Sequence, residues 1–187
     1  GVPQRRRRMI LLAARDAKPE FAQPVKQRRS VRSAIASLPA PAKTNDPVHN
    51  HPADRAPHVM EIIRRIPKDG GSRGDLGKDA QLPCHRKCNG FKDIYGRMSW
   101  DSPSPTITGG CINPSKGRFL HPEEDRAITL REAAALQGFP LDYRFDLSKG
   151  RYSAAQMIGN AFPPAFAACH AKSLRSILDS KKRDLGT

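Results

Sequence analysis

The 187-residue sequence predicts an α/β chain that holds only part of its own sheet. Three observations lead there. Met9-Ile10-Leu11-Leu12-Ala13-Ala14 is a short continuous apolar run, the pattern of a strand buried on both faces of a parallel sheet. Two stretches nearer the C-terminus carry clear helix-start signals. No series of further strands alternates with them. A solitary strand cannot bury both faces, so its neighbours are expected from outside this chain.

The elements follow in order. Ser30 is suited to cap a short helix whose Val31, Ile35 and Leu38 share one face, with Pro39 ending it. Residues 39–57 carry Pro39, Pro41, Pro47, Pro52 and Pro57 and are expected to be irregular. His58 to Ile66 reads as a helix with Val59, Ile62, Ile63 and Ile66 apolar. Pro67-Lys68-Asp69-Gly70-Gly71-Ser72-Arg73-Gly74 reads as a flexible loop, and Tyr95 to Thr108 as short strands between turns. Thr129-Leu130-Arg131-Glu132 is a capping box, in which hydroxyl and carboxylate each satisfy an exposed N–H at a helix start. Ala133 to Leu136 continue that helix and Gly138 stops it. Pro163 and Pro164 suit the first turn of a last helix, where Phe166, His170, Leu174 and Ile177 or Leu178 recur at helical spacing.

Charge narrows the class. Lys and Arg number 33 against 18 Asp and Glu, giving +15 and a pI near 10.3. Residues 1–32 hold ten basic residues against two acidic ones, whereas residues 121–147 hold three against six. An uneven basic field is the footprint of a polyanion partner, and a four-arginine run favours phosphate because a guanidinium fork pairs with its oxygens. No apolar run approaches the ~20 residues of a membrane-spanning helix. Four irregularly spaced cysteines are too few for a disulfide scaffold and suggest a reducing setting. The start at Gly1 rather than Met leads us to expect a piece of a longer protein.

The chemistry-bearing residues are sparse. Cys84-His85 with Cys88 offers metal-ligating groups, but a tetrahedral site needs a second pair, and Cys111 and Cys169 stand alone, so no metal is expected. His49, His51 and His58 lie in the proline-rich segment and read as solvated. No phosphate-binding glycine loop, Gly-x-Ser-x-Gly turn or His-Glu-x-x-His helix occurs.

Four segments, taken in order, say more. They are Gly1-Val2-Pro3-Gln4-Arg5-Arg6-Arg7-Arg8, followed by the apolar run; Pro103-Ser104-Pro105-Thr106-Ile107-Thr108; Arg126 through Leu130-Arg131-Glu132 to Leu136-Gln137-Gly138-Phe139-Pro140; and Gln156-Met157-Ile158-Gly159-Asn160-Ala161-Phe162-Pro163-Pro164. Together they resemble the C-terminal half of the DNA cytosine-5 methyltransferases: the eighth conserved motif, the target-recognition domain, and the ninth and tenth motifs. Tyr95-Gly96-Arg97-Met98-Ser99-Trp100-Asp101 resembles the usual end of that recognition domain.

The resemblance implies a partial S-adenosylmethionine-dependent methyltransferase (Rossmann-like) sheet plus a small, loop-rich target-recognition domain. Residues 1–19 would belong to the catalytic domain, 20–120 to the recognition domain and 121–187 to the catalytic return. In this family a cysteine attacks C6 of a flipped cytosine, a glutamate assists at N3, and C5 takes the methyl group of S-adenosylmethionine. Those residues belong to Pro-Cys and Glu-Asn motifs upstream of the eighth motif. Pro83-Cys84 lies downstream and is rejected as nucleophile. Gln4, Arg6 and Arg8 match the eighth motif and are expected beside the reacting base and its phosphates, with Arg6 and Arg8 supporting catalysis. Thr106, Ile107, Thr108 and Arg97 are expected DNA contacts, and Arg131 and Glu132 structural braces. Gly159, Asn160, Ala161 and Phe162 are expected to touch the cofactor, although the family often has Val where Phe162 stands. The implied partners are double-stranded DNA and the missing N-terminal half, in the same chain or as a separate subunit, in the cytoplasm of a bacterium or phage host. The chain alone is expected to be inactive.

Two other readings compete. One is a non-catalytic, sequence-specific DNA-binding module. The other is a basic RNA-binding chain, which would stack bases on sets of aromatics. Tyr95 and Trp100 are near neighbours, but their odd spacing would put them on opposite faces of one strand.

Overall fold

The computed structural model describes the chain apart from residues 16, 25, 27, 52–53, 78–80, 87–89, 91 and 185–187 and the side chains of 181–184. Cys88, part of the rejected metal cluster, lies outside the described residues. The described helices are α1 (Val31–Ile35), α2 (Pro57–Arg65), α3 (Pro83–Arg86), α4 (Leu130–Gln137), α5 (Arg151–Asn160) and α6 (Pro164–Asp184).

Local signals account for several of them. Ser30 caps α1 with a reciprocal bond from Ser33, although the helix ends at Ile35 and Leu38 packs as a partly buried flank. Pro57 opens α2 at a position where a missing N–H costs nothing. Thr129 and Glu132 form the expected capping box on α4, and Gly138 ends it at φ 90°, a left-handed conformation that favours glycine. Helix α5 carries no start signal in the sequence. Its N-cap is Gly150, which has no side chain to signal a start, and its buried face is the small set Ala154, Ala155, Ile158 and Gly159.

The expected sheet is not seen among the described residues. Among the described residues, pairing is limited to isolated bridges: Gln4 with Ser104 and Arg97 with Leu120 in parallel, and Leu120 with Ala127 antiparallel. Neither Met9–Ala14 nor Tyr95–Thr108 forms a strand. The physical reason is partnership, because an extended segment becomes a strand only when a neighbour takes its backbone groups. Met9 and Leu11 are 97% and 86% exposed, while Ile10 and Leu12 are half-buried, an alternation typical of extended chain.

Helices and loops pack around two cores. The larger joins Val31 and Ile35 of α1, Met98, Trp100, Ile107 and Phe119 of the central loops, and the inner faces of α4 and α5. The smaller joins Ile63 and Ile66 at the end of α2 with Tyr95 and Leu120. Tyr95 and Trp100 are thus core residues rather than an exposed stacking platform. Trp100 donates through Nε1 to Glu123 (2.8 Å), stands edge-on to His121 and lies under the Arg32 guanidinium.

The loop at 67–74, expected to be flexible, is pinned. Asp69 accepts from the Trp100 N–H (2.6 Å) and the Ser99 hydroxyl (3.0 Å), and its own N–H donates to the Pro122 carbonyl. His49, expected in solvent, is 1% exposed, with one ring nitrogen 2.7 Å from the Thr129 hydroxyl and the other 2.8 Å from the Pro39 carbonyl. Those partners lie 80 and 10 residues away, which is why local composition misplaced it.

Candidate active site

The four separated segments meet at one place. The backbone around Gln4 runs beside Ser104, with Arg5 N–H donating to the Ser104 carbonyl (2.8 Å) and Ser104 N–H to that of Pro3 (2.9 Å). This sets the arginine run alongside Pro103–Thr108. Arg6 then donates to two carbonyls, Ile107 and Gly159, each at 2.8 Å. Gln4 accepts from the Ile107 N–H (2.9 Å) and donates to the side-chain oxygen of Gln137. Gln137, wholly buried at the end of α4, donates to the Ala161 carbonyl (2.6 Å). Gln137 lies within the third of the four segments, where nothing local assigns it a role. An amide at a position where the rest of its helix is buried was the available signal.

Beside this node lies a cavity of about 580 Å³, lined by Gln4, Arg6, Arg7, Arg8, Ile10, Phe162 and Phe166. That is within the size range of small-molecule clefts. One wall is cationic, the other aromatic. Phe162 and Phe166 meet edge to face at 5.2 Å, and Phe166 continues to His170 at 4.7 Å. An open ring beside guanidinium groups suits a ligand with one flat apolar part and one polar or anionic part. Phe162 is 43% exposed and available for such contact.

The remaining expected site residues fall into two groups. Thr108 is exposed and Thr106 half-buried, its hydroxyl donating to the Arg5 carbonyl (2.7 Å). Arg8 is exposed at the cavity mouth and Asn160 at the end of α5. Two expected DNA contacts are corrected. Ile107 is 0% exposed and belongs to the larger core. Arg97 is also 0% exposed, and its guanidinium donates to the carbonyls of Ile63 (2.8 Å), Ile66 (3.1 Å), His121 (3.1 Å) and Glu124 (2.6 Å) and pairs with Asp125 (2.5 Å). It joins the end of α2 to the 121–125 loop and has no surface to offer DNA.

Gly159 and Asn160 form the last turn of α5 rather than an open turn, and the Ala161 N–H is taken by the carbonyls of Met157 and Ile158. Backbone donors expected to face a ligand are therefore spent at Ala161. Gly159 has a steric reason to be glycine: an added Cβ would stand 2.4 Å from the Gly109 nitrogen and from the Thr108 carbonyl carbon. The helix crosses the 108–109 backbone at a distance that no other residue allows.

A buried charged group backs the site. Arg131 pairs with Asp46 (2.6 Å) and donates to the Tyr143 carbonyl (2.8 Å), tying α4 to the segment before it. Glu132 is 2% exposed and takes a two-pronged bond from Arg126 (2.8 Å each) as well as the Thr129 N–H. Burial raises the pKa of Glu132, but the bonds from Arg126 outweigh it and hold the carboxyl below its ordinary range. His121 accepts at Nδ1 from the N–H groups of Glu123 and Glu124, so its neutral proton sits on Nε2, 3.9 Å from Glu132. Burial keeps this imidazole below its usual range despite the nearby carboxylates.

Among the described residues no cluster of His, Cys, Asp or Glu could hold a metal ion, and no helix is long and apolar enough to cross a membrane. Cys111 is buried, which pushes its thiol up to about 12, far from a nucleophile at neutral pH. Cys84 is exposed on α3 and does not line the cavity.

Comparison with known proteins follows the same segments. A family model described as C-5 cytosine-specific DNA methylase matches residues 1–176. The chain is 36% identical over 191 residues to the type II methylase M.HgiDII of Herpetosiphon aurantiacus, covering 96% of this chain and 53% of that protein. It is 35% identical over 172 residues to the type II methyltransferase M1.BsuMI of Bacillus subtilis, covering 87% of this chain and 38% of the relative. It is 34% identical over 139 residues to the type II methyltransferase M.AquIB of Picosynechococcus, covering 67% of this chain and 88% of that one. The chain thus spans about half or less of the first two relatives and most of the third.

Proposed function

The chain belongs to the C-5 cytosine-specific DNA methylase family, and on that premise we propose that it forms the C-terminal, DNA-facing part of a cytosine-5 methyltransferase. The observation that carries the proposal is the junction of Gln4 and Arg6 with Ile107, Gln137, Gly159 and Ala161, which gathers four distant segments at one cavity. In this reading the nucleophilic cysteine and the glutamate come from the upstream half. The Met9–Ala14 segment pairs with that half's sheet and so completes a Rossmann-like domain. The match to most of M.AquIB supports a second form of the same reading, in which this part is a separate subunit.

Each residue then has a task. Arg6, held by the Ile107 and Gly159 carbonyls, and the exposed Arg8 bring positive charge to the cavity. Charge developing on a base under attack is stabilised most by groups already in place, because no reorganisation is needed at that moment. Gln4 orients the base. Phe162, with the exposed Asn160 side chain beside it, holds the adenosyl part of S-adenosylmethionine, which when bound supplies an electrophilic methyl group. The open Phe162 ring fits that assignment. Gly159 contributes by letting α5 approach the 108–109 turn. Residues 20–120 carry recognition of the duplex, with Thr106 and Thr108 at the DNA side, and residues 121–187 return to the catalytic domain.

The test is reconstitution. The chain alone should transfer no methyl groups, whereas the chain joined to its upstream half should methylate duplex DNA. Arg6→Ala in the complete enzyme should lower kcat more than it weakens DNA binding. If instead the loss appears only as weaker, less salt-sensitive binding, the arginine is a plain phosphate contact. Robust methyl transfer by the isolated chain would refute the division of labour.

A further inference from the structure

We infer that Gln137 is a positioning residue that sets the register between the two ends of the active site, Gln4 and Arg6 at one end and Ala161 and Phe162 at the other. The inference rests on the methyltransferase reading above. Gln137 does not line the cavity; it stands behind it, wholly buried at the end of α4. A buried primary amide must place both its donor and its acceptor, since either left over costs the full desolvation of that group.

The side-chain amides form a chain with one direction. The Ile107 N–H, which can only donate, occupies Gln4 Oε1. Gln4 therefore presents its Nε2 to the neighbour, and Gln137 must answer with Oε1. That leaves Gln137 Nε2 for the Ala161 carbonyl, which can only accept. A backbone donor at one end and a backbone acceptor at the other fix every amide between them, so none can flip without breaking two bonds. Arg6 spans the same gap in parallel, from Ile107 to Gly159. Its guanidinium also faces the cavity, where a ligand competes for it. Gln137 makes a link that no ligand reaches.

The experiment uses the complete enzyme, this chain joined to or assembled with the upstream half. Wild type, Gln137→Met, Gln4→Met and the double variant are compared by calorimetric binding of S-adenosylmethionine without DNA and by kcat for methyl transfer. Methionine keeps the volume and removes both hydrogen bonds. Each single variant should weaken cofactor binding about tenfold, and the double variant should be little worse than either, the signature of residues acting as one unit. A direct cofactor contact by Gln4 would instead leave its effect intact in the Gln137→Met background. Should Gln137→Met fail to fold, Gln4→Met alone should speed hydrogen exchange at the Ala161 and Phe162 amides. Unchanged exchange there, additive losses, or wild-type cofactor affinity in Gln137→Met would overturn the inference. A wild-type assembly unable to methylate DNA would overturn the methyltransferase reading and this inference with it. An active wild type with additive variants overturns the inference alone.

Discussion

The segment Met9–Ala14 and helix α4 invert the usual rule of burial. The first is the longest apolar run in the sequence, yet Met9 and Leu11 stand almost fully exposed. The second, Leu130 to Gln137, carries an arginine, a glutamate and a glutamine, yet all eight of its residues are buried. The difference lies in partners. Every charged or polar group of α4 meets a complement: Arg131 meets Asp46, Glu132 meets Arg126, and Gln137 meets Gln4 and Ala161. Met9–Ala14 has apolar side chains but, among the described residues, no strand pairs with its backbone. Hydrophobicity shows what a segment can bury; the partners present decide what it does bury.

The comparison breaks most sharply at Glu132. Replacing it with alanine takes from Arg126 its buried partner, leaving it Glu124 and the Ala127 carbonyl, and removes half of the capping box. Chemical denaturation should show a loss of about 2–4 kcal/mol, from the lost cap and the lost buried hydrogen bonds together. A loss below about 1 kcal/mol would mean that water reaches the pair, making it equivalent to a surface bridge. Next comes Gly159→Ala, whose Cβ would collide with backbone rather than with a movable side chain. Overpacking of this kind costs about 1–3 kcal/mol. The variant should also open the Arg6–Gly159 bond, read as a drop in kcat of the complete enzyme.

Acidification tests the same polar core. Glu132, Glu124, Asp46 and Asp125 all sit below the ordinary carboxylate range in the fold, and His121 sits below the ordinary imidazole range. For each, the unfolded chain binds its proton first as pH falls. Stability is therefore complete above about pH 6.5, falls first as unfolded His121 protonates, and falls again below the ordinary carboxylate values. His121→Gln should flatten the first part of that decline and leave the second. A pH–denaturation series on both proteins reads this directly, and identical curves would show that His121 is solvated. The smallest expected effect is on the other side of the comparison. Leu11→Lys should change the stability of this chain by no more than about 0.5 kcal/mol, as for exposed positions generally. The same substitution should block assembly with the upstream half, measured by co-purification, because there the residue enters a sheet.

What the sequence disclosed about the fold was mostly local. Thr129 and Glu132, Ser30 and Gly138 act through groups a few residues away, so their spacing alone marks helix ends. Helix α5 escaped because a glycine cap and a face of alanines carry little signal in either direction. Arg97 and His49 escaped for a different reason. Arg97 is buried by carbonyls 24 to 34 residues distant, and a basic residue in a basic chain otherwise reads as surface. The candidate site was legible through whole segments rather than single residues: Gln4 and Arg6 were singled out, but the bond from Gln4 to Gln137 spans 133 positions. No local pattern encodes it.

Trp100 is the only tryptophan, and its surroundings make it a built-in fluorophore. Its indole is packed edge-on to His121 at 5.3 Å, under Arg32 at 5.2 Å and bonded to Glu123, so its emission reports on the contact between α1 and the 121–126 loop. While that contact holds, the spectrum should stay toward the blue; when the loop lifts, it should move to the red. Protonation of His121 places an electron-accepting imidazolium beside the indole and should quench it. Opening and closing of this part of the molecule, on binding DNA or on joining the rest of the enzyme, can therefore be followed optically and in real time, without a label.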